Sequence, residues 1–273
     1  MFECVLNISE GRDEVVLDEL GALSGTSLRD RHTDARHHRS VFTLINDPER
    51  LMLDVRSLIG GAFARLSLHE HEGVHPRFGV VDVVPFVALD ASERPVARRL
   101  RDDTAKWISA THQVATFLYG ELDDGNVRSL PEVRRHAFVT LDPDFGPREP
   151  SATLGAVAVG ERSVLVAWNL WLANTTPRRA RGLAAMLRSE DVRALGFDTA
   201  SEVQVSCNLL DVQHTTPSML YDLVASHLEG PEHITRSELV GLVPASLLER
   251  EPRARWAQLD LSPDATIEAR LGA

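Results

Sequence analysis

The sequence predicts an α/β (α+β) protein built from two units, on three observations. Segments with strand periodicity alternate with segments of helical periodicity from the first residues onward. A capping side chain directly before proline, the signature of a helix start, recurs at Asp47-Pro48, Thr176-Pro177 and Thr216-Pro217. At 273 residues the chain is long enough to build two hydrophobic cores.

Phe2 to Ile8 alternates as a strand, Ser9-Glu10-Gly11 turns, and Val15, Val16, Leu17, Leu20 and Leu23 form the apolar stripe of a helix. Ser27 to His32 and Ser40 to Ile45 read as two strands joined through the polar turn Thr33 to His38. Asp47 and Pro48 open a helix that runs to about Leu66, and Val80 to Leu89 is the next strand. This order, β-α-β-β-α-β, is the split arrangement of ferredoxin-like folds. A helix from about Ser92 to Thr111 and a strand through Val114 to Tyr119 extend it. From Gly120 to Gly155 prolines, glycines and aspartates break the periodicity, and the stretch reads as a long connection, either functional or a plain linker. Regular structure resumes with a strand from Val164 to Leu172, a helix at Thr176-Pro177, a strand from Val203 to Leu210 and a helix at Thr216-Pro217. Leu239 to Val243 adds a short strand and Ala245 to Leu248 a helix, while the tail after Pro252 reads as peripheral.

The formal charge of −11 argues against nucleic acid and anionic membranes as partners. The longest apolar run, Val83 to Leu89, suits a buried strand and falls far short of the roughly 18 residues that span a bilayer. Met1-Phe2-Glu3-Cys4 carries no leader pattern, so a cytoplasmic protein is expected. Cys4 and Cys207 sit in apolar, strand-like segments and read as inert core thiols. Lys106 is the only lysine; the other cations are arginines, whose forked guanidinium suits carboxylates.

The stretch from Leu68 to Phe86 has the character of a reactive loop. His69, His71 and His75 supply imidazoles, a side-chain type able to take and give protons near neutral pH, Gly73 and Gly79 relax the backbone, and Pro76 is expected to drive His75 out of the helical region. No metal is expected, because His71 and His75 would share a face only on a helix and no cysteine or H-E-x-x-H pattern is nearby. Other polar groups fall at strand ends: Asn7, Ser9 and Glu10, then Asp34 to Arg39, then His75 with Arg77. Strands paired in one sheet would gather a histidine base, a carboxylate and two arginines. Each also has a structural reading, with Asn7 and Ser9 as caps, Asp34 closing an Asx-turn and Arg39 solvated.

These residues resemble the formiminotransferase domain family, found in glutamate formimidoyltransferases and in formiminotransferase-cyclodeaminases. The resemblance runs through Glu3 to Gly11, Asp34 to Thr43, His71 to Arg77, Asp82 with Pro85-Phe86, Leu118 to Glu121, Pro143 to Pro147, Ser206 to Asp211 and Leu239 to Pro244. It implies two ferredoxin-like subdomains, 1–160 and 161–273, with facing mixed β-sheets and helices outside. It further implies a stand-alone, shortened, dimeric enzyme of one-carbon metabolism and histidine catabolism. The implied reaction moves a formimino group from N-formimino-L-glutamate, the amino-acid-derived donor, to N5 of tetrahydrofolate, the co-substrate. The family's active-site histidine falls on His75, and its folate-contacting loop falls on Gly146 to Gly155, with Gly146, Pro147, Ser151, Thr153, Leu154 and Gly155 as the expected contacts.

In that reaction the attacking amine loses a proton and the departing glutamate nitrogen gains one, which a single imidazole can serve. Asp34 is expected to stabilise positive charge on the formimino nitrogen, and Asn7, Arg39 and Arg77 to bind substrate. Against the family pattern, Val74 stands where Glu is usual, His38 where Asn is usual and Leu154 where Trp is usual, and the segments Arg135–Asp142 and Arg188–Val192 are shortened. Those departures motivate two competing readings, a non-catalytic folate-binding protein and a formyl-transfer enzyme with another donor. A metal-dependent hydrolase using His69, His71 and His75 is the third.

Overall fold

A computed structural model describes residues 1–69, 71–74, 76–199 and 202–272. Two compact units make up the chain, Met1–Val164 and Leu165–Ala273.

The first unit runs β1 (Phe2–Ile8), α1 (Glu14–Leu23), β2 (Leu28–Asp34), β3 (Arg39–Asn46), α2 (Pro48–Arg65) and β4 (Val81–Ala88). It continues with α3 (Arg94–His112), β5 (Ala115–Glu121), β6 (Val127–Arg128), α4 (Leu130–His136) and β7 (Ala156–Glu161). The strands form one mixed sheet in the order β2-β3-β1-β4-β7-β5-β6. Its first four strands have the antiparallel neighbours of a ferredoxin-like fold, and β7 lies parallel to both β4 and β5. Asp47 caps α2 as expected, its carboxylate accepting the amides of Glu49 and Arg50, and Asp13 does the same for α1 with Val15 and Val16. Leu6 and Ile8 of β1, with Phe86 of β4, are fully buried in one core with Leu51, Val55 and Leu58 of α2.

The stretch from 120 to 155 is not a plain linker. Ser129 and Glu132 form a reciprocal capping box that starts α4. Directly after the stretch, β7 fills the place between β4 and β5. Every residue of β7 is buried: Val157 and Val159 face one core, Ala156 and Ala158 the other. A strand covered on both faces has no polar alternation, so periodicity does not reveal it.

The second unit runs β8 (Val166–Ala173), α5 (Pro177–Leu187), β9 (Val192–Asp198), β10 (Val203–Leu209), α6 (Pro217–Ser226), β11 (His233–Val240), α7 (Ala245–Arg250) and α8 (Ile267–Leu271). Its four strands form a wholly antiparallel sheet in the order β11-β8-β10-β9. With β9 included, the unit repeats the β-α-β-β-α-β order of the first. Thr176 caps α5 through the Arg179 amide, but Thr216 makes no side-chain cap. The first turn of α6 is served instead by Glu251, whose carboxylate accepts the Ser218 amide at 2.9 Å. The tail after Pro252 is not peripheral: Leu259, Leu261 and Ile267 are buried, and the Leu259 carbonyl accepts the indole N–H of buried Trp168 at 2.8 Å.

Both thiols are free and buried. Burial pushes Cys207 up to about 12 and raises Cys4 as well. Among the described residues no helix is long and apolar enough to cross a membrane.

Candidate functional site

Antiparallel pairing puts the end of β1 beside the starts of β3 and β4, and the parallel strands β7 and β5 start at that same sheet edge. The loops that follow or precede those ends therefore meet. They are Ser9 to Asp13, the turn from Ala35 to His38, the segment before β4 and the segment before β7.

Asp82, at the start of β4, is the centre of the cluster and is fully buried. Its Oδ1 accepts the Phe78 amide at 2.6 Å. Its Oδ2 accepts from Arg39 and, at 2.6 Å, from Arg134 of α4. Burial pushes the carboxyl up, but the two guanidiniums more than reverse that and hold it below the usual carboxylate range. Arg39 donates its Nε–H to Asn7 Oδ1 at 3.1 Å, and burial draws its guanidinium below the ordinary arginine value despite the attraction of Asp82. Asn7, Arg39 and Asp82 thus form one chain across three strands.

A second group forms around Glu10. Its Oε1 accepts the amides of Gly11, Arg12 and Asp13 at 2.7–3.0 Å and the His38 Nε2–H at 3.1 Å. Burial works against the charge, yet these donors hold the carboxyl below its usual range. The His38 backbone is left-handed, with φ of 49°. Its ring stacks on His71, with centroids 3.9 Å apart. Arg77 donates to His71 Nδ1, and arginine has no acceptor, so the ring proton of His71 lies on Nε2 and is donated to the His38 carbonyl at 3.1 Å. Arg77 also donates to the carbonyls of His71 and Gly73 at 2.9 and 2.6 Å, and burial lowers it from its ordinary value. Close approach requires two glycines here. A Cβ at Gly11 would lie 2.4 Å from the Asp34 carbonyl oxygen, and one at Gly73 would lie 2.5 Å from that of His37.

The residues singled out from the sequence fall in distinct places. Asp34 closes the β2–β3 turn, its Oδ1 accepting the Arg36 and His37 amides at 2.7 and 2.8 Å. Arg77 donates within its own loop, to His71 and Gly73, and also feels the charge of Asp82. Ser151 and Gly155 pair through both backbone bonds, with Thr153 and Leu154 at the tip. That turn is sewn to the segment before β4: the Leu68 amide donates to the Thr153 carbonyl at 2.7 Å and the Val80 amide to the Leu154 carbonyl at 2.9 Å. Gly146 lies apart from it, against the junction of α3 and β5, and Pro147 follows it half-buried. His69 is exposed. His75, the expected acid–base residue, lies outside the described residues. Among the described residues no group of three or more His, Cys, Asp or Glu side chains could hold a metal ion.

Arg134 is the member that sequence reasoning passed over, and the pairing of His38 with His71 is another. The Ser129–Glu132 box announces a helix, but nothing in the sequence tells which way its arginines reach.

Fold and cluster together define a two-unit α/β protein with a charged strand-end centre in its first unit. The chain belongs to the formiminotransferase family: residues 1–162 match the formiminotransferase domain, N-terminal subdomain. It is similar to the glutamate formimidoyltransferase of Thermoplasma acidophilum, 30% identical over 91% of this chain and 89% of that protein. The glutamate formimidoyltransferase of Streptococcus pyogenes is 29% identical over 90% of each chain. The formimidoyltransferase-cyclodeaminase of Gallus gallus is 30% identical over 89% of this chain and 50% of that longer protein. The chain is therefore a transferase, and its chemistry is formimino transfer.

Proposed function

We propose that the chain moves a formimino group from N-formimino-L-glutamate to N5 of tetrahydrofolate, with His75 as general acid and base. The observation that carries this reading is the convergence of four loops at one sheet edge, where Asp82 ties down the amide of Phe78, three residues after His75.

N5 of tetrahydrofolate attacks the amidine carbon and a tetrahedral intermediate forms. His75 takes the proton that N5 loses and returns it to the glutamate nitrogen as the C–N bond to glutamate breaks. Assistance of this kind typically contributes about 100- to 10,000-fold. Asp34 has one oxygen committed to the turn and its second 3.9 Å from His37 Nε2, and that second oxygen is the one assigned to the positive amidine nitrogen. Arg39 and Asn7 act as one unit with Asp82 in shaping the substrate pocket. Arg77 shapes the loop through His71 and Gly73. The turn from Ser151 to Gly155, with Gly146 and Pro147 upstream, forms the wall for folate, and its backbone ties to Leu68 and Val80 support that role.

The test mixes purified protein with tetrahydrofolate and N-formimino-L-glutamate and follows 5-formiminotetrahydrofolate. Steady product formation is expected. Folate binding with no turnover would refute the transfer reading and leave a folate-binding protein.

A further inference from the structure

Asp82 is one carboxylate held by two guanidiniums, and one would have neutralised it. The surplus positive charge is built in rather than incidental, because Asp82 is fully buried and Arg39 nearly so. Arg39 is the inner cation, with its Nε–H given to Asn7 and an NH1 hydrogen given to Asp82. Arg134 is the outer one, its side chain 24% exposed. Of the five N–H donors of Arg134, one goes to Asp82 at 2.6 Å and one reaches the Pro76 carbonyl at 3.5 Å. Neither contact uses the whole fork. Arg77, the other cation of this loop, instead gives its donors to His71 and Gly73.

We propose that Arg134 is a specificity-determining residue, taking a carboxylate of the N-substituted glutamate donor in a two-pronged ion pair. This rests on the formimino-transfer reading and adds to it the residue that recognises the donor. Chain connectivity puts Pro76 directly after His75, within about 3.8 Å between Cα atoms. A guanidinium at the Pro76 carbonyl is therefore one residue along the chain from the group proposed as acid and base. In the donor, the α-carboxylate carbon is two bonds from the nitrogen that carries the formimino group. In the folate, the carboxylates lie beyond a whole aminobenzoyl group from N5. The donor's carboxylate is thus the one whose covalent distance from the amidine carbon matches a cation one residue from His75 in the chain. Asp82 then has a second role, holding the Arg134 fork in one orientation so that little side-chain freedom is lost on binding.

Titration calorimetry of the full chain tests this with N-formimino-L-glutamate and, separately, with tetrahydrofolate, on the wild type, R134K and R134M. The donor is expected to bind R134M at least about tenfold more weakly, with tetrahydrofolate within about twofold of wild type. R134K should fall between, since lysine keeps the charge and the Asp82 pair but loses the fork. Equal weakening of both ligands, the mark of a merely structural role, would overturn the proposal, as would unchanged donor affinity. Should R134M not fold, the same selective loss in R134K decides the matter. A wild type that binds no donor also overturns it. Donor binding that depends on Arg134, without formation of 5-formiminotetrahydrofolate, would refute the transfer reading alone and leave this assignment standing.

Discussion

In the first unit the charged side chains gather where strands end, around Asp82 and Glu10, whereas in the second a half-buried carboxylate sits mid-strand and collects side-chain donors. Glu238 of β11 accepts from Asn169 at 3.0 Å, Trp171 at 2.9 Å and Gln204 at 3.3 Å. The sheet edge of the second unit that corresponds to the charged edge of the first is closed by structural ties: Asn174 donates to the Pro231 carbonyl, and Arg179 to the His227 carbonyl and to Glu229. Both units have the β-α-β-β-α-β order, so topology does not explain the difference. Loop content does. The first unit adds α3, β5, β6, α4 and β7 to the shared scaffold, and α4 supplies Arg134.

The comparison breaks most sharply at its two carboxylates. D82N leaves Arg39 and Arg134 without their counter-ion in a buried place, a change expected to cost about 3–5 kcal/mol of stability. E238Q removes a charge whose partners named above are neutral, and about 1–3 kcal/mol is expected there. Urea denaturation followed by circular dichroism measures both. Equal losses would mean that the second cation on Asp82 adds nothing.

Next in size is His75. H75A should fold as the wild type does and lose turnover by roughly a hundredfold or more, about 2.7 kcal/mol of barrier. Single-turnover kinetics with tetrahydrofolate and N-formimino-L-glutamate check this. A variant retaining most of its rate would move the acid–base role elsewhere.

The ferredoxin-like core of the first unit was legible because β1 alternates, β4 is a long apolar run and α2 announces itself with Asp47-Pro48. The elements that escaped had physical reasons to do so. β7 is covered on both faces, as noted, and Ala156 and Ala158 give it a weak β signal. In β9, Arg193 and Leu195 are exposed and Gly196 lies against the backbone of α5, so neither apolar alternation nor propensity marks the strand. At the site, strand-end residues such as Asn7 and Arg39 could be grouped because pairing brings strand ends together. Arg134 could not, since its partner Asp82 lies 52 residues away in sequence and on another element. Arg77 shows the converse limit: the sequence placed it in the right loop, but its direction was set by carbonyls next to it in the fold.

Helix caps sharpen the contrast between the units at a smaller scale. In the first, Asp47 caps α2 from the adjacent position; in the second, α6 depends on Glu251, 33 residues away. D47A and E251A should each cost about 1 kcal/mol, and T216A, whose side chain makes no cap, a few tenths at most. Thermal melts resolve these values. A T216A loss equal to that of E251A would show that Thr216 does serve α6 in solution.

The smallest effect concerns acid. His112 at the end of α3 packs edge-on against Phe63 and Trp107, with centroids 5.0 and 5.1 Å away, and its Nε2 is buried without a partner. Arg56 lies over the Trp107 ring and places another positive charge nearby. Burial lowers His112 from its ordinary value. The unfolded chain therefore takes up this proton first as pH falls. The contribution of His112 is fully present above the ordinary imidazole range and is lost as pH falls through the depressed folded value. In the second unit His214 is instead exposed, with its Nδ1 2.8 Å from Asp211. Trp107 is the only tryptophan of the first unit, the other three lying in the second, and gives a local optical probe. Wild type is expected to show a Trp107 fluorescence change on mild acidification that H112L lacks, together with a flatter dependence of stability on pH in H112L. Identical acid profiles for the two proteins would show that the Phe63–Trp107 niche admits the charged ring at no cost.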